Sequence, residues 1–166
     1  MAKFLKVVAG QVQEEATVTI SAGAGDSGKA VSLDASGKVD ISVLPTGIGA
    51  DTTSVLTSEI LAAGDKVNLY DNAGTRNARK ADNSNGREAD GFVIVGFASG
   101  ATATVYLEGA NNALSALTAG TKYYLGTSGA VTATAPSAAG ARVQFLGKAT
   151  SATALDFQRF DSILLV

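Results

Sequence analysis

The spacing of apolar residues along the chain predicts many short β-strands. Between Gln11 and Ile20, the residues Val12, Ala16 and Val18 fall at alternate positions, which is the period of a half-buried strand. Elsewhere, short runs of large apolar residues are bounded by Gly, Ser and Asp, as is typical of strands joined by tight turns. Extended segments are predicted at residues 3–8, 11–20, 29–33, 38–44, 67–70, 76–81, 91–98, 104–107, 123–125, 130–135, 142–149 and 155–157. Short helical turns are predicted at residues 57–63 and 111–117. The pattern therefore predicts an all-β fold.

Turn and breaker residues predict how the chain is divided. Residues 34–37 (DASG) have the chemistry of a tight turn, because Asp and Ser can cap it and Gly accepts a positive φ. Residues 45–49 combine one Pro with two Gly, which predicts a boundary. We therefore expect an N-terminal β segment or extended arm at residues 1–45, followed by a small β-barrel or β-sandwich domain at residues 46–166.

The second part of the chain contains an internal two-copy repeat. Residues 61–69 (LAAGDKVNL) match 117–125 (LTAGTKYYL), and residues 95–103 match 146–154. The pseudo-repeats span about 61–109 and 117–159. Because solenoids need three or more units, two copies predict one pseudo-symmetric β-domain.

Composition excludes several classes of function. The 166 residues include no His, no Cys and no Trp, so no Ser-His or Cys-His nucleophile, disulfide or zinc site of the usual ligands can form. The 13 basic and 15 acidic residues leave a net charge of −2, without the overall positive field of a nucleic-acid binder. No stretch approaches the roughly 18 apolar residues of a membrane span. We expect no enzyme activity, no cofactor, no metal, and neither nucleic acid nor membrane as a partner.

Two loops are candidate ligand sites. Residues 23–29 (GAGDSGK) follow a phosphate-binding pattern, but Ala30 replaces the Ser or Thr that would hold magnesium, and a strand is predicted next instead of a helix. Residues 82–90 (DNSNGREAD) are rich in oxygen ligands, but Arg87 stands where a calcium loop of the EF-hand type needs Gly. A flexible or docking loop and an exposed hairpin loop are the favoured interpretations.

Three further groups of side chains are candidate functional residues. The basic residues Arg76, Arg79, Lys80 and Arg87 could contact an acidic partner or could protect an edge strand from pairing. The tyrosines Tyr106, Tyr123 and Tyr124 could form a sugar-stacking platform, although alternation favours one core ring and one rim ring at the adjacent pair. The acids Glu14, Glu15, Glu59 and Asp65 have no spacing that supports a glycosidase pair.

The residues resemble a family of viral proteins. Residues 24–45 (AGDSGKAVSLDASGKVDISVLP) resemble a linker phrase of many tailed-phage structural proteins. Residues 46–52, 61–81 and 117–136 resemble the β-domain of small phage head proteins that decorate capsids, the decoration or cement proteins. The resemblance implies a non-enzymatic virion protein, synthesised in the host bacterial cytoplasm, which binds the major capsid protein on the outer capsid surface, stabilises the shell and forms a homotrimer. It implies no catalytic residue.

Other functions remain open at the level of sequence. Similar Gly-, Thr- and Ala-rich phrases occur in tail fibres and baseplates, so a tail component is the alternative location. A sugar-binding surface module and, last, an enzyme are the other hypotheses. Residues 1–20 suit a docking arm or an intersubunit sheet. Residues 160–166 (FDSILLV) are unusually apolar for a chain end, and we expect them to pair in a sheet or to lie in an oligomer interface.

Overall fold

The computed structural model describes residues 3–44 and 49–166, which are nearly all in strands, turns and loops. The chain separates into two compact units, Met1–Gly49 and Ala50–Val166, here called the N-terminal and C-terminal units. The all-β prediction is confirmed, and the barrel is the form that the structure adopts. The predicted boundary at residues 45–49 falls largely on residues 45–48, which lie outside the described residues.

The N-terminal unit begins with a β-hairpin. Strands β1 (Lys3–Val8) and β2 (Gln11–Ala16) pair antiparallel through a two-residue turn. Both turn residues have positive φ, 50° at Ala9 and 80° at Gly10, which matches the right-handed twist of the strands. The segment therefore folds back on itself, which agrees with the first of the two expected forms, a β segment, and not with an extended arm.

The rest of the N-terminal unit has less regular structure than predicted. The predicted strand at 11–20 ends at Ala16, and the predicted strand at 29–33 is a single parallel bridge between Val31 and Val18. The predicted strand at 38–44 is wrong, because Asp40 accepts a hydrogen bond from the backbone of Ser42 and starts a 3-10 turn. A second 3-10 turn spans Ala24–Asp26.

The C-terminal unit contains twelve short strands. They are β3 (Thr52–Thr57), β4 (Lys66–Asn72), β5 (Thr75–Lys80), β6 (Gly91–Phe92), β7 (Thr102–Tyr106), β8 (Gly109–Asn111), β9 (Lys122–Leu125), β10 (Val131–Thr132), β11 (Arg142–Val143), β12 (Phe145–Ala149), β13 (Leu155–Phe157) and β14 (Ile163–Leu164). The first five form a closed barrel in the order β3-β5-β4-β6-β7, and five others form a sheet in the order β10-β9-β12-β13-β8. β11 and β14 form a separate two-stranded ribbon.

The barrel and the second sheet have the same pairing order. β4 lies between β5 and β6, and β9 lies likewise between β10 and β12. On the far side, β6 is followed by β7 and β3, as β12 is followed by β13 and β8. The barrel alone is closed, because β3 pairs parallel to β5, whereas β8 and β10 are the two unpaired ends of the second sheet. The internal repeat is therefore one strand topology used twice.

The register corrects part of the sequence repeat. Val67 pairs with Gly91 in the barrel, and Tyr123 pairs with Gly147 in the second sheet. Gly147 is thus the counterpart of Gly91 in the repeat. The sequence match of residues 95–103 with 146–154 instead makes Gly96 its counterpart. Val67 and Tyr123, like Gly91 and Gly147, lie 56 residues apart, which is also the spacing of the match between 61–69 and 117–125. The spacing of the first match therefore holds for both strands, and the second match is wrong at Gly147.

Each copy of the topology has its own hydrophobic core. The barrel core consists of Val55, Leu61, Val67, Ala78, Val93, Ala103 and Val105. The second core consists of Ala81, Ala89, Phe92, Leu117, Tyr123, Leu125, Leu146, Ala149, Leu155 and Phe157. Phe92 belongs to a barrel strand but packs edge-on against Phe157, with ring centroids 5.4 Å apart, and so joins the two copies.

Several predicted elements of this unit are wrong. Neither predicted helix forms: Leu61 makes a bridge with Phe97, and Asn111 ends strand β8. The long predicted strand at 91–98 is reduced to β6, and the predicted strand at 142–149 is interrupted at Gln144, which lies between β11 and β12. Strand β3, which closes the barrel, was not predicted.

No helix in the described part of the chain is long and apolar enough to cross a membrane.

Candidate interaction surfaces

The N-terminal unit buries none of its own described residues. Every residue from Lys3 to Leu44 is half-buried or exposed, in contrast to the two cores of the C-terminal unit. Its exposed large apolar residues are Leu5, Val7, Val8, Val12, Ile20, Val31, Leu33, Val39, Ile41 and Leu44. Exposed apolar side chains gathered in one small unit are typical of an interaction surface.

One face of the hairpin concentrates this apolar surface. Strand alternation and register place Leu5, Val7 and Val12 on the same side, with Val7 directly opposite Val12. Their exposed fractions are 70%, 68% and 66%. An ion pair between Lys3 and Glu14 (2.6 Å) flanks this group. We call Leu5, Val7 and Val12 the outer face of the hairpin.

The chain end forms a second apolar surface. β14 pairs antiparallel with β11, and Leu165 donates its backbone N–H to Ala141 at 2.9 Å, which confirms the predicted strand pairing. The side chains of Ile163 and Leu164 nevertheless remain 68% and 52% exposed. Backbone pairing thus holds the chain end in place while its side chains face outward.

The glycine-rich loop at residues 23–29 is occupied by its own acid. The carboxylate of Asp26 accepts the backbone N–H of Ala22 at 2.6 Å and pairs with Lys29 at 2.9 Å. The Ala22 hydrogen bond, followed by the bond from Lys29, holds the pKa of Asp26 below its usual value. Because the amide and the lysine that a phosphate would need are already bound to this carboxylate, the loop does not have the arrangement of a phosphate cradle.

The acidic groups of the 82–90 loop each serve a structural contact. Burial by itself would raise the pKa of Asp82, but hydrogen bonds from Ser84 and Ser128 outweigh it and hold that pKa below its usual value. Glu88 pairs with Arg142 at 2.8 Å. The carboxylate of Asp90 accepts the backbone N–H of Leu69 at 2.8 Å. Among the described residues, no cluster of three or more acidic groups could hold a metal ion.

Most of the basic residues near this loop contact partners in their own chain. Arg79 stacks over the ring of Tyr70, with 4.0 Å between the guanidinium carbon and the ring centroid. Lys80 pairs with Asp65 at 3.2 Å, and Arg87 lies 3.8 Å from Glu59. Arg76 lies on an exposed part of β5. Strand β5 pairs with both β3 and β4, so it is not an edge strand, and the expected protection of an edge strand is wrong. The contacts indicate instead that most of these basic residues stabilise the barrel.

The candidate acids do not form a catalytic pair. Glu14 and Glu15 are adjacent on β2, so they point to opposite faces, and they pair with Lys3 and Lys6 respectively. Glu59 and Asp65, in the C-terminal unit, contact the same residue: Glu59 accepts the backbone N–H of Lys80 at 2.6 Å, and Asp65 pairs with its ammonium group. A lysine therefore lies where a substrate would have to bind between them.

The three tyrosines lie in different surroundings. Tyr123 is buried, and its hydroxyl accepts the backbone N–H of Thr118 at 2.9 Å. Tyr124 is half-buried and packs edge-on against Phe145, whereas Tyr106 stacks on Phe92 in the other aromatic group. One core ring and one rim ring at 123–124 agree with the alternation argument. Tyr106 and Tyr124 pack in two separate aromatic groups, which does not favour a common sugar platform.

Sequence reasoning missed a buried polar pair in the C-terminal unit. Lys66 and Asn111 are both completely buried, and both side chains donate to the backbone oxygen of Gly64, at 2.7 and 3.1 Å. Nothing in the local sequence marks either residue, since Lys122 occupies the equivalent position of the repeat and is exposed.

Comparison with known proteins found little. Neither a protein-family model nor a curated protein matches this sequence. One solved structure is similar: the head fibre gp8.5 N base of bacteriophage phi29, with 10% identity and a TM-score of 0.47, covering 68% of this chain and 99% of that one. At this TM-score the similarity does not establish a shared fold.

Proposed function

We propose that the protein is a structural component of a bacteriophage virion, without enzymatic activity, that binds the outer capsid surface and stabilises the shell. The observation that carries the proposal is the N-terminal unit, which buries none of its described residues and exposes the outer face of the hairpin. Covering such exposed apolar side chains with another protein surface lowers the free energy of the system. The resemblance of residues 24–45 to a phage linker phrase supports a phage particle as the source of that surface.

This arrangement suits a protein that reinforces a shell. Ligands that bind only the assembled state stabilise that state by mass action, so a protein that spans neighbouring capsid subunits strengthens the shell. Each edge of the two-stranded hairpin also presents backbone groups that a strand of the capsid can pair with. Many weak contacts of this kind act together over a particle. We include self-association as a homotrimer in the proposal, with the major capsid protein as the partner.

Copy number in purified virions tests the proposal. Quantitative mass spectrometry against the major capsid protein should find hundreds of copies, in a simple ratio to capsid subunits. A few to tens of copies would place the protein in a tail fibre, a baseplate or another tail part. Complete absence of the protein from the virion would contradict the structural role and would favour the sugar-binding and enzyme hypotheses.

Variants of the hairpin test the proposed docking surface. The change of Leu5, Val7 and Val12 to Ser should abolish binding to capsids that lack this protein, as measured by co-sedimentation. The matched control is Val95→Ser, since Val95 is 54% exposed but lies in the C-terminal unit. Equal binding by both variants would show that the outer face of the hairpin does not contact the capsid.

A further inference from the structure

Two completely buried polar side chains meet at one backbone oxygen inside the C-terminal unit. Lys66 lies at the start of β4 in the barrel, and Asn111 ends β8 in the second sheet. The Nζ atom of Lys66 and the Nδ2 atom of Asn111 both donate to the carbonyl oxygen of Gly64, at 2.7 and 3.1 Å. Because both nitrogen atoms bond to the same oxygen atom, the distance between them is at most the sum of the two hydrogen-bond lengths.

The backbone is shaped to bring the two residues together. Gly64 has a φ of 86°, and a β-carbon there would lie 2.5 Å from the carbonyl oxygen of Ala113. Only glycine allows the turn before Lys66 to approach the segment 111–113 so closely. The backbone N–H of Lys66 is also fixed, because it donates to Gly129 at 2.9 Å. The approach of Lys66 to Asn111 is thus built into the packing of the two sheets.

The surroundings of Lys66 favour the uncharged amine. Among the described residues no carboxylate forms an ion pair with it, and the nearest acid in sequence, Asp65, pairs instead with Lys80 at 3.2 Å. Burial lowers the pKa of Lys66 to about 7, although the charge of Asp65 acts in the opposite direction. About half of the side chains are then neutral at pH 7, and a neutral, desolvated lysine amine is a nucleophile.

The side chain of Asn111 is held as an electrophile. Its Oδ1 atom accepts the backbone N–H of Ala113 at 3.2 Å. This hydrogen bond polarises the amide and would stabilise negative charge on the oxygen during attack at the Cγ atom. Both partners are fixed in a site closed to water, which supplies the proximity that an intramolecular reaction needs.

We propose that Lys66 and Asn111 form an intramolecular isopeptide bond after folding. The Nζ amine attacks Cγ of Asn111, the Cγ–Nδ2 bond breaks, and a proton from Nζ passes to the leaving nitrogen, which departs as ammonia. The product is a secondary amide between Nζ and Cγ, and no oxidant, cofactor or other reactant is required. The bond ties the barrel to the second sheet covalently, which suits a protein that must stay folded on a particle outside a cell.

Mass spectrometry of the full-length chain tests this proposal. After denaturation, the folded protein should be lighter than the same chain without the bond by the mass of one ammonia. Tryptic digestion should yield a branched peptide that contains both residues, because trypsin does not cleave after an acylated lysine. Full mass, with Lys66 and Asn111 found in separate peptides after prolonged incubation of the folded protein, would overturn the proposal.

Matched variants make the result specific. Lys66→Met and Asn111→Leu should each retain the ammonia and give no branched peptide, whereas Lys122→Met, at the exposed repeat equivalent, should still lose it. Asn111→Asp should lose water instead of ammonia if the same site reacts. Succinimide formation at Asn85–Gly86 also releases ammonia, so an ammonia loss located only there would contradict the proposal.

Discussion

Gly91 packs against the backbone carbonyl of Tyr106 so closely that a β-carbon on the glycine would overlap with the carbonyl oxygen. Gly147 stands in the same relation to the carbonyl of Asp156. The two glycines occupy equivalent registers in the barrel and in the second sheet, opposite Val67 and Tyr123. The two copies of the topology therefore share a tertiary contact as well as a pairing order.

This shared contact makes both glycines sensitive to substitution. Gly91→Ala and Gly147→Ala should each lower the free energy of unfolding by about 3 kcal/mol or more, because the backbone of the next strand must move away. Gly147→Ala should be the more severe, since Gly147 also has a φ of 139°. Gly96→Ala is the control: its β-carbon would meet the oxygen of Leu61 at 3.4 Å, and we expect a loss below about 1 kcal/mol. Equal losses in urea titrations of all three variants would contradict this explanation.

Gln144 should be essential for the stability of the C-terminal unit. Its buried amide accepts the N–H of Ala89 at 2.7 Å and donates to the carbonyls of Ala89 and Phe160 at 2.9 and 2.8 Å. Gln144→Leu leaves these backbone groups without partners, so unfolding free energy should fall by about 3 kcal/mol. Gln158→Leu, at an exposed site, should change it by less than about 0.5 kcal/mol. Chemical denaturation of both variants measures the difference.

Lys66 should make stability depend on pH when it cannot form the proposed bond. In Asn111→Leu the amine remains free, with a folded pKa of about 7 against an ordinary value of 10.5. Between these values the unfolded chain binds more protons than the folded chain, so the free energy of unfolding should rise with pH by up to about 1.4 kcal/mol per unit. Below the folded pKa of Lys66 and above its unfolded pKa, the contribution of Lys66 to the free energy of unfolding should not change with pH.

The double variant Lys66→Met/Asn111→Leu isolates this dependence. It should lack the rise between pH 7 and about 10, since methionine does not titrate. The difference between the two stability curves then belongs to Lys66 alone. Identical curves would mean that the lysine is not desolvated in the folded protein.

The chain end should contribute to self-association without contributing to the fold. Ile163→Lys places a charge at a side chain that is 68% exposed, so thermal stability should change little. If the exposed apolar end lies in a homotrimer interface, light scattering should show a shift from trimer to monomer. The N–H of Leu165, which donates to Ala141, should exchange slowly in the wild type. A trimer that persists in Ile163→Lys would place the interface elsewhere.

Local patterns in the sequence predict the all-β class, most strand positions and the repeated unit. These follow from local properties, namely the alternation of apolar side chains and the turn chemistry of Gly, Asp and Ser. The turn at residues 34–37 forms as expected, with Gly37 at a φ of 73° and its N–H bonded to Asp34. The apolar chain end also pairs as a strand.

The closure of the barrel and the burial of one repeat lysine depend on tertiary contacts, which local sequence patterns do not predict. β3 closes the barrel through a parallel pair with β5, which depends on contacts between distant segments and leaves no local signal. Lys66 and Lys122 occupy the same position of the same motif, yet the first is completely buried and the second is exposed. The difference lies in what packs over each lysine. Lys66 shares the oxygen of Gly64 with Asn111 and donates its backbone N–H to Gly129, and both partners come from the second copy of the topology.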